Sequence, residues 1–312
     1  MKKTNIFIIV LFCIIIVYII TIQIVKNRTK HSFRKRVRTL HNLDVSSDII
    51  RDRLSGVGIY YINLNKATER RKDIDTFIQQ YEIPNIQRIE GVYGKHVNDN
   101  TYTFSDGREI QVTNEYPRNG YNMAELGCFL SHVVALKTAY ENGDEYALIL
   151  EDDVDMNMVK VWDEGLIEVI QKAPENWNII QLFEHPGGVR ANISYKYLKK
   201  GAYIPRKTRR HYGCHSYLIT RNAMEMFLKN MSFLHTDTIY IKQMDFPFPI
   251  DHYLYDSFDG DTIYTTNARF IVNNITNSTQ IHSMSFKKNP IISQTSDEKM
   301  VSMGNQILKS YL

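Results

Sequence analysis

Residues 57–64 (VGIYYINL) and 146–150 (YALIL) are short apolar runs that end abruptly in polar residues, and both read as buried strands. The first passes through a brief loop into NKATERRKDIDTFIQQY. There Ile74, Phe77, Ile78 and Tyr81 fall at helical spacing, Thr68 is placed to cap the helix, and Pro84 stops the pattern. Strand, loop and helix in that order form the opening unit of an open α/β sheet, whose ligands bind beyond the C-terminal strand ends. The second run follows an amphipathic helical pattern marked by Leu126, Phe129, Leu130, Val133, Val134 and Leu136, with Gly143 at its C-terminus. It discharges at once into Glu151, Asp152 and Asp153, with Asp155 close behind.

Three adjacent carboxylates repel one another, and an apolar strand beside them raises the cost of ionising them. A divalent cation relieves both penalties, and hard oxygen ligands suit Mg²⁺ or Mn²⁺. An acidic surface turn is the bland alternative. At the end of the first strand lie Asn63, Asn65, Arg70 and Arg71. Arginines at a helix start oppose the macrodipole unless an anion is present, which fits either a diphosphate or a solvated basic turn.

Residues 95–121 are polar with no sustained period and read as a long loop. Further strands are expected at 177–183 (WNIIQLF) and 216–220, with a turn at 184–188 and a helix over 222–229. Residues 189–210 are basic and irregular, and 245–251 (DFPFPID) make an aromatic approach to Asp251 and His252 that suits a sugar or an ordinary packed loop.

Charge is unevenly placed. Residues 1–50 hold nine of the 38 Lys and Arg but two of the 34 Asp and Glu, so the remainder is slightly acidic. That argues against a nucleic-acid partner. The 20-residue apolar run 6–25 has the length of a bilayer span and reads as an uncleaved single-pass anchor. Lys26, Arg28, Lys30, Arg34, Lys35, Arg36 and Arg38 follow it, which favours a cytoplasmic domain. Sequons at Asn27, Asn192, Asn230, Asn274 and Asn277 point the other way, and the side of the membrane stays open. The organisation expected is a tail and anchor at 1–25, a basic stem at 26–55 and one domain at 56–312. Of the cysteines, Cys128 and Cys214 read as buried thiols, with a single bridge as the alternative, and no CxxC pair or His/Cys cluster marks a zinc site.

YYINLNKATERR, AELGCFLSH and LILEDDV, in that order, resemble the glycosyltransferase family 25 enzymes, among them lipooligosaccharide and procollagen galactosyltransferases. YGCHSYLITRNAMEMFL, PIDHYL and NPIISQTSDEK extend the resemblance to roughly residues 57–300, with Ser216 where the family usually has Ala. The resemblance implies a GT-A-like open mixed sheet flanked by helices, an inverting transfer from a nucleotide sugar such as a UDP-hexose, and Mn²⁺ or Mg²⁺. It puts Asn63, Arg70 and Arg71 at the donor nucleotide, and Glu125, Gly127, Ser131 and His132 along the donor side. Glu151, Asp152 and Asp153 become the metal motif, with Asp152 also touching the donor. Asp251 takes the acceptor or catalytic position, with Asp153 or Asp155 as the other candidate bases, and His282 a possible further ligand. Galactose or glucose is the sugar implied, and a hydroxyl on a glycan, a lipid-linked glycan or a protein hydroxylysine the acceptor. A metal-dependent phosphotransferase or nucleotidyltransferase, or a non-catalytic membrane glycoprotein, are the competing readings.

Overall fold

The structure is a computed structural model that describes residues 2–98, 100–112, 123–183, 201–208, 212–239, 250–266, 269–271 and 290–312, without the side chains of 2–13 and 290–299. It begins with one long helix, α1 (Lys2–His41), and a short α2 (Ser47–Arg53). The basic stretch expected as a polar stem is therefore ordered as far as residue 41. Phe33, Val37 and Leu40 recur at helical spacing among the basic residues, and Phe33 and Leu40 are buried. Among the described residues no helix is long and apolar enough to cross a membrane. The side chains of 2–13, which include the first eight residues of the apolar run, lie outside the described residues.

Strand β1 (Gly58–Asn63) leads into α3 (Thr68–Tyr81) and β2 (Ile86–Glu90). Thr68 is the first helical residue and not the cap, a place taken by Ala67 without a side-chain bond. The helix ends at Tyr81 with Glu82 left-handed, ahead of Pro84. The expected loop at 95–121 instead contains an antiparallel hairpin, β3 (Thr101–Thr103) and β4 (Glu109–Val112). Tyr102, Phe104, Ile110 and Val112 are buried, but strands this short give too few alternations to be read as a period. Gly107 turns the hairpin at φ +85°, a backbone angle that a side chain disfavours. Residues 113–122 lie outside the described ones.

Helix α4 (Met123–Glu141) then precedes β5 (Tyr146–Glu151), a 3₁₀ turn at Met156–Val161 and α5 (Leu166–Lys172). Next come β6 (Ile179–Gln181), β7 (Ile204–Pro205), β8 (Ser216–Thr220), α6 (Arg221–Asn230) and β9 (Thr238–Ile239). The chain closes with α7 (Ile250–Asp256), β10 (Ile263–Thr265) and α8 (Pro290–Tyr311). The expected turn at 184–188, most of the basic stretch after it, residues 245–249 and His282 lie outside the described residues.

Among the described residues, seven strands form one mixed sheet in the order β2-β1-β5-β8-β6-β10-β7, and β3-β4-β9 form a second, small sheet. Strands β2, β1 and β5 run parallel, while β8 is antiparallel to both β5 and β6. Alternate residues of β1 fall on opposite faces: Tyr60 and Ile62 pack with α4, α6 and α7, whereas Ile59 and Tyr61 pack with α3, α8 and the end of α1. Both faces are covered, which is why the central strands are continuously apolar. A mixed sheet flanked by helices fits the GT-A-like architecture.

Candidate active site

The acidic triplet sits where three elements meet. Because β1 is parallel to β5, its end at Asn63 lies alongside the end of β5. Because β8 is antiparallel, it is the beginning of β8 that lies on the other side, and Glu151 N–H donates to His215 O at 2.8 Å. Helix α4 covers one face and brings Cys128 and His132 toward Glu151.

The three carboxylates have different surroundings. Asp152 accepts from Arg70 Nη1 at 2.7 Å and from Asn63 Nδ2 at 2.8 Å. Arg88 holds Asn63 in turn, donating from Nε to Asn63 Oδ1 at 3.1 Å. Glu151 Oε1 accepts from the Cys214 thiol at 3.4 Å and lies 3.7 Å from His132 Nε2. Asp153 is 3% exposed, with Oδ2 3.9 Å from His215 Nε2 and Oδ1 without a hydrogen-bond partner. One ligand atom each from Glu151, Asp153 and His215 lie within 4.8 Å of one another, and so do those of Cys128, His132, Glu151 and Cys214.

Burial pushes the Asp153 carboxyl up to about 6, with Glu151 and Asp152 adding repulsion that His215 only partly offsets. Burial likewise raises Asp152 despite Arg70. Glu151 behaves oppositely: burial works against its charge, but His215 and His132 outweigh it and hold the carboxyl well below the usual range. Burial also opposes charge on the two imidazoles. The Cys128 and Glu151 groups beside His132, and Glu151 and Asp153 beside His215, nevertheless raise both. The cluster is an anionic pocket that takes up positive charge.

Asp251, in the first turn of α7, reaches the same place through the backbone. Its Oδ2 accepts from Gly213 N–H at 2.6 Å and its Oδ1 from His252 N–H at 2.9 Å. Gly213 O accepts from Gln181 Nε2 at 2.5 Å and Tyr255 Oη at 2.7 Å. At φ +89°, Gly213 lets residues 213–215 bridge from Asp251 to Glu151.

Other expected site residues are placed differently. Arg71 bonds Asp75 at 3.1 Å on the exposed side of α3 and does not join the cluster. Ser131 is buried, donating to Gly127 O at 2.6 Å and accepting from Val92 N–H at 2.7 Å, so it ties α4 to the segment after β2. A Cβ at Gly127 would stand 2.5 Å from Val92 O, so that glycine permits the close approach. Glu125 is half-buried in the first turn of α4. Asp155 caps the 3₁₀ turn and pairs with His41 Nε2 at 2.8 Å. Ser216 Oγ is buried without a partner, so the usual Ala would lose no hydrogen bond there. Cys128, Cys214, His215 and Gln181 join the site without having been legible in the sequence as part of it. The available signal was His215 just before a strand, but adjacency to Glu151 depends on β8 being antiparallel.

A GT-A-like sheet with an acidic cluster at a strand end is the architecture that the resemblance to a glycosyltransferase implies. The profile of glycosyltransferase family 25 (LPS biosynthesis protein) matches residues 57–253, and the chain belongs to that family. The chain is thereby grouped with glycosyltransferase enzymes, which favours that reading over the phosphotransferase and non-catalytic ones. It is 28% identical over 134 residues to procollagen galactosyltransferase 1-B of Xenopus laevis, covering 42% of this chain and 22% of that protein. To procollagen galactosyltransferase 2 of Mus musculus it is 28% identical over 133 residues, 42% of this chain and 21% of the relative. A glycosyltransferase 25 family member of Anopheles gambiae matches at 28% over 111 residues, 35% of this chain and 18% of that one. The matched region thus spans about a fifth of these relatives.

Proposed function

We propose that the chain transfers galactose or glucose from a UDP-sugar, with inversion, to a hydroxyl of a glycan, a lipid-linked glycan or a protein. The observation that carries this reading is the convergence of Glu151, Asp153 and His215 within 4.8 Å at the end of β5. The two carboxylates suit Mn²⁺ or Mg²⁺, and the unpartnered buried Asp153 Oδ1 fits a ligand. When bound, such a cation supplies Lewis-acid stabilisation of a leaving diphosphate. Asp152, fixed by Arg70 and Asn63, orients the triplet, and Arg70 brings a guanidinium to the donor side for a phosphate oxygen. Two backbone N–H groups hold the Asp251 carboxylate, which accepts the proton of the attacking hydroxyl. The names of the procollagen galactosyltransferases support galactose as the sugar. The exposed apolar side chains Ile14–Ile20 support membrane attachment through residues 6–25.

The test incubates the full chain with Mn²⁺ and a panel of UDP-hexoses and follows both UDP release and product. Asp251→Asn is expected to abolish transfer while UDP-sugar binding, read by calorimetry, is kept. Transfer at the wild-type rate in that variant removes Asp251 as the base. Failure of every hexose to release UDP defeats the donor assignment.

A further inference from the structure

The second convergence at Glu151 differs in chemistry from the first. Cys128 and His132 are one turn apart on α4, so both side chains project from the same side of the helix. Cys214 approaches from the segment before β8, and Glu151 Oε1 completes the group, with all four ligand atoms within 4.8 Å of one another. The sequence shows no such cluster because its parts lie on α4, at the end of β5 and just before β8, far apart along the chain. His132 is 1% exposed, and its Nε2 has no hydrogen-bond partner. Its other nitrogen, Nδ1, lies 3.1 Å from the Tyr217 hydroxyl. With Nδ1–H donated to Tyr217, the Nε2 lone pair faces the two thiols. That is the outer hydrogen bond which fixes tautomer and ring orientation in a metal-bound histidine.

We propose that Cys128, His132, Cys214 and Glu151 bind a structural zinc ion that fastens α4 to the junction of β5 and β8. Two thiolates, one imidazole and one carboxylate are a zinc ligand set, and four protein ligands make a closed, structural site. Tetrahedral bonds of zinc length put ligand atoms roughly 3.3–3.8 Å apart, so no pair here has to close by more than about 1.5 Å. The ion supplies the positive charge that lets the half-buried Cys128 thiol and the buried Cys214 thiol ionise beside a carboxylate. It satisfies the His132 nitrogen as well. Glu151 Oε1 faces this site, leaving Oε2 for the cation of the donor site. The proposed zinc therefore stands behind the donor pocket, holding the motif helix in place.

The full chain, in a Cys13→Ser background, is purified under reducing conditions without chelator and its zinc content measured by elemental analysis. One zinc per chain is expected. A mercurial thiol reagent should release it in step with the loss of two thiols. Replacing the zinc with Co²⁺ should give the intense d–d bands of a tetrahedral centre and a thiolate-to-cobalt charge-transfer band. Cys214→Ser should weaken retention by at least about a hundredfold, beyond the effect of outer hydrogen-bond partners. If that variant does not fold, the mercurial release from the unsubstituted cluster reads the same two thiols. Failure to take up zinc after reduction, zinc retained once both thiols are blocked, or a Cys128–Cys214 disulfide in unreduced peptide digests overturns the proposal. These readouts need no transferase turnover, so the zinc site and the donor reading fail separately.

Discussion

Asp153 lies 3% exposed beside two further carboxylates, and the fold opposes its ionisation. Its folded-state value, about 6, is above the 3.8 of an unperturbed aspartate, so the folded chain holds the proton more tightly than the unfolded one. The resulting penalty is absent below pH 3.8, grows up to about 6 and is complete above it. Asp153→Asn should therefore stabilise the chelator-treated protein at pH 7.5, by up to about 3 kcal/mol, since each tenfold change in proton affinity is worth about 1.4 kcal/mol. The gain should shrink toward pH 4.5, while Mn²⁺ stabilisation disappears. Denaturant titrations at the two pH values check it, and a variant less stable than wild type at pH 7.5 contradicts it. The triplet was readable in the sequence because a buried strand ending in acid is an unusual juxtaposition. Its division of labour was not. Adjacent residues on an extended chain face different neighbours, and only the packed structure gives Asp152 to Arg70 and Asp153 to His215.

At the scale of elements, the end of α1 is fastened to the turn that follows the triplet. His41 Nε2 meets Asp155 Oδ2 at 2.8 Å, and Lys160 Nζ donates to His41 O at 2.8 Å. The hydrogen bond that His41 donates to Asp155 outweighs burial and raises the imidazole above 6.5. Stabilisation from this pair is fully present below 6.5 and is lost as pH rises through the raised value. His41 is partly exposed, so screening limits the pair to about 0.5–1 kcal/mol. His41→Gln should lower the unfolding midpoint by a few degrees at pH 6 and leave it unchanged at pH 9. An equal effect at both values would show that the imidazolium charge does not contribute. Helices α3 and α4 and strands β1, β5 and β8 could be read from the sequence because each is long enough to display its period or is apolar throughout. The β3–β4 hairpin could not, since its three- and four-residue strands are defined by pairing and by the hydrophobic side chains beneath them. The antiparallel course of β8, which delivers Cys214 and His215, is likewise a property of topology that no local pattern encodes.

For the whole molecule, the two faces of the large sheet are closed by different means. One is covered by α4, α6 and α7, which follow the strands closely in sequence. The other depends on the two ends of the chain: α1 supplies Phe33 and Leu40, and α8 supplies Met300, Val301, Met303, Ile307 and Leu308. The two terminal helices meet where Phe33 packs on Gly304, close enough that a Cβ there would lie 2.6 Å from the ring, and where Ser32 donates to Asn305 at 3.3 Å. The basic segment after the apolar run is thus part of the folded unit, and the apolar run itself contributes exposed side chains from Ile14 onward. A chain beginning at residue 27 keeps Phe33, Val37, Leu40 and His41 and should unfold at the full-length temperature. One beginning at residue 44 loses both buried side chains, worth about 3–6 kcal/mol at roughly 1.5–3 each. Against a total stability of about 5–15 kcal/mol that is a large share. Its midpoint should fall by roughly 10 °C or more, and α8 should lose protection in hydrogen exchange along with it. Because α1 also grips Asp155, the shorter chain should bind Mn²⁺ more weakly even where it remains folded. Identical melting temperatures for the two chains would show that the sheet's second face closes without α1.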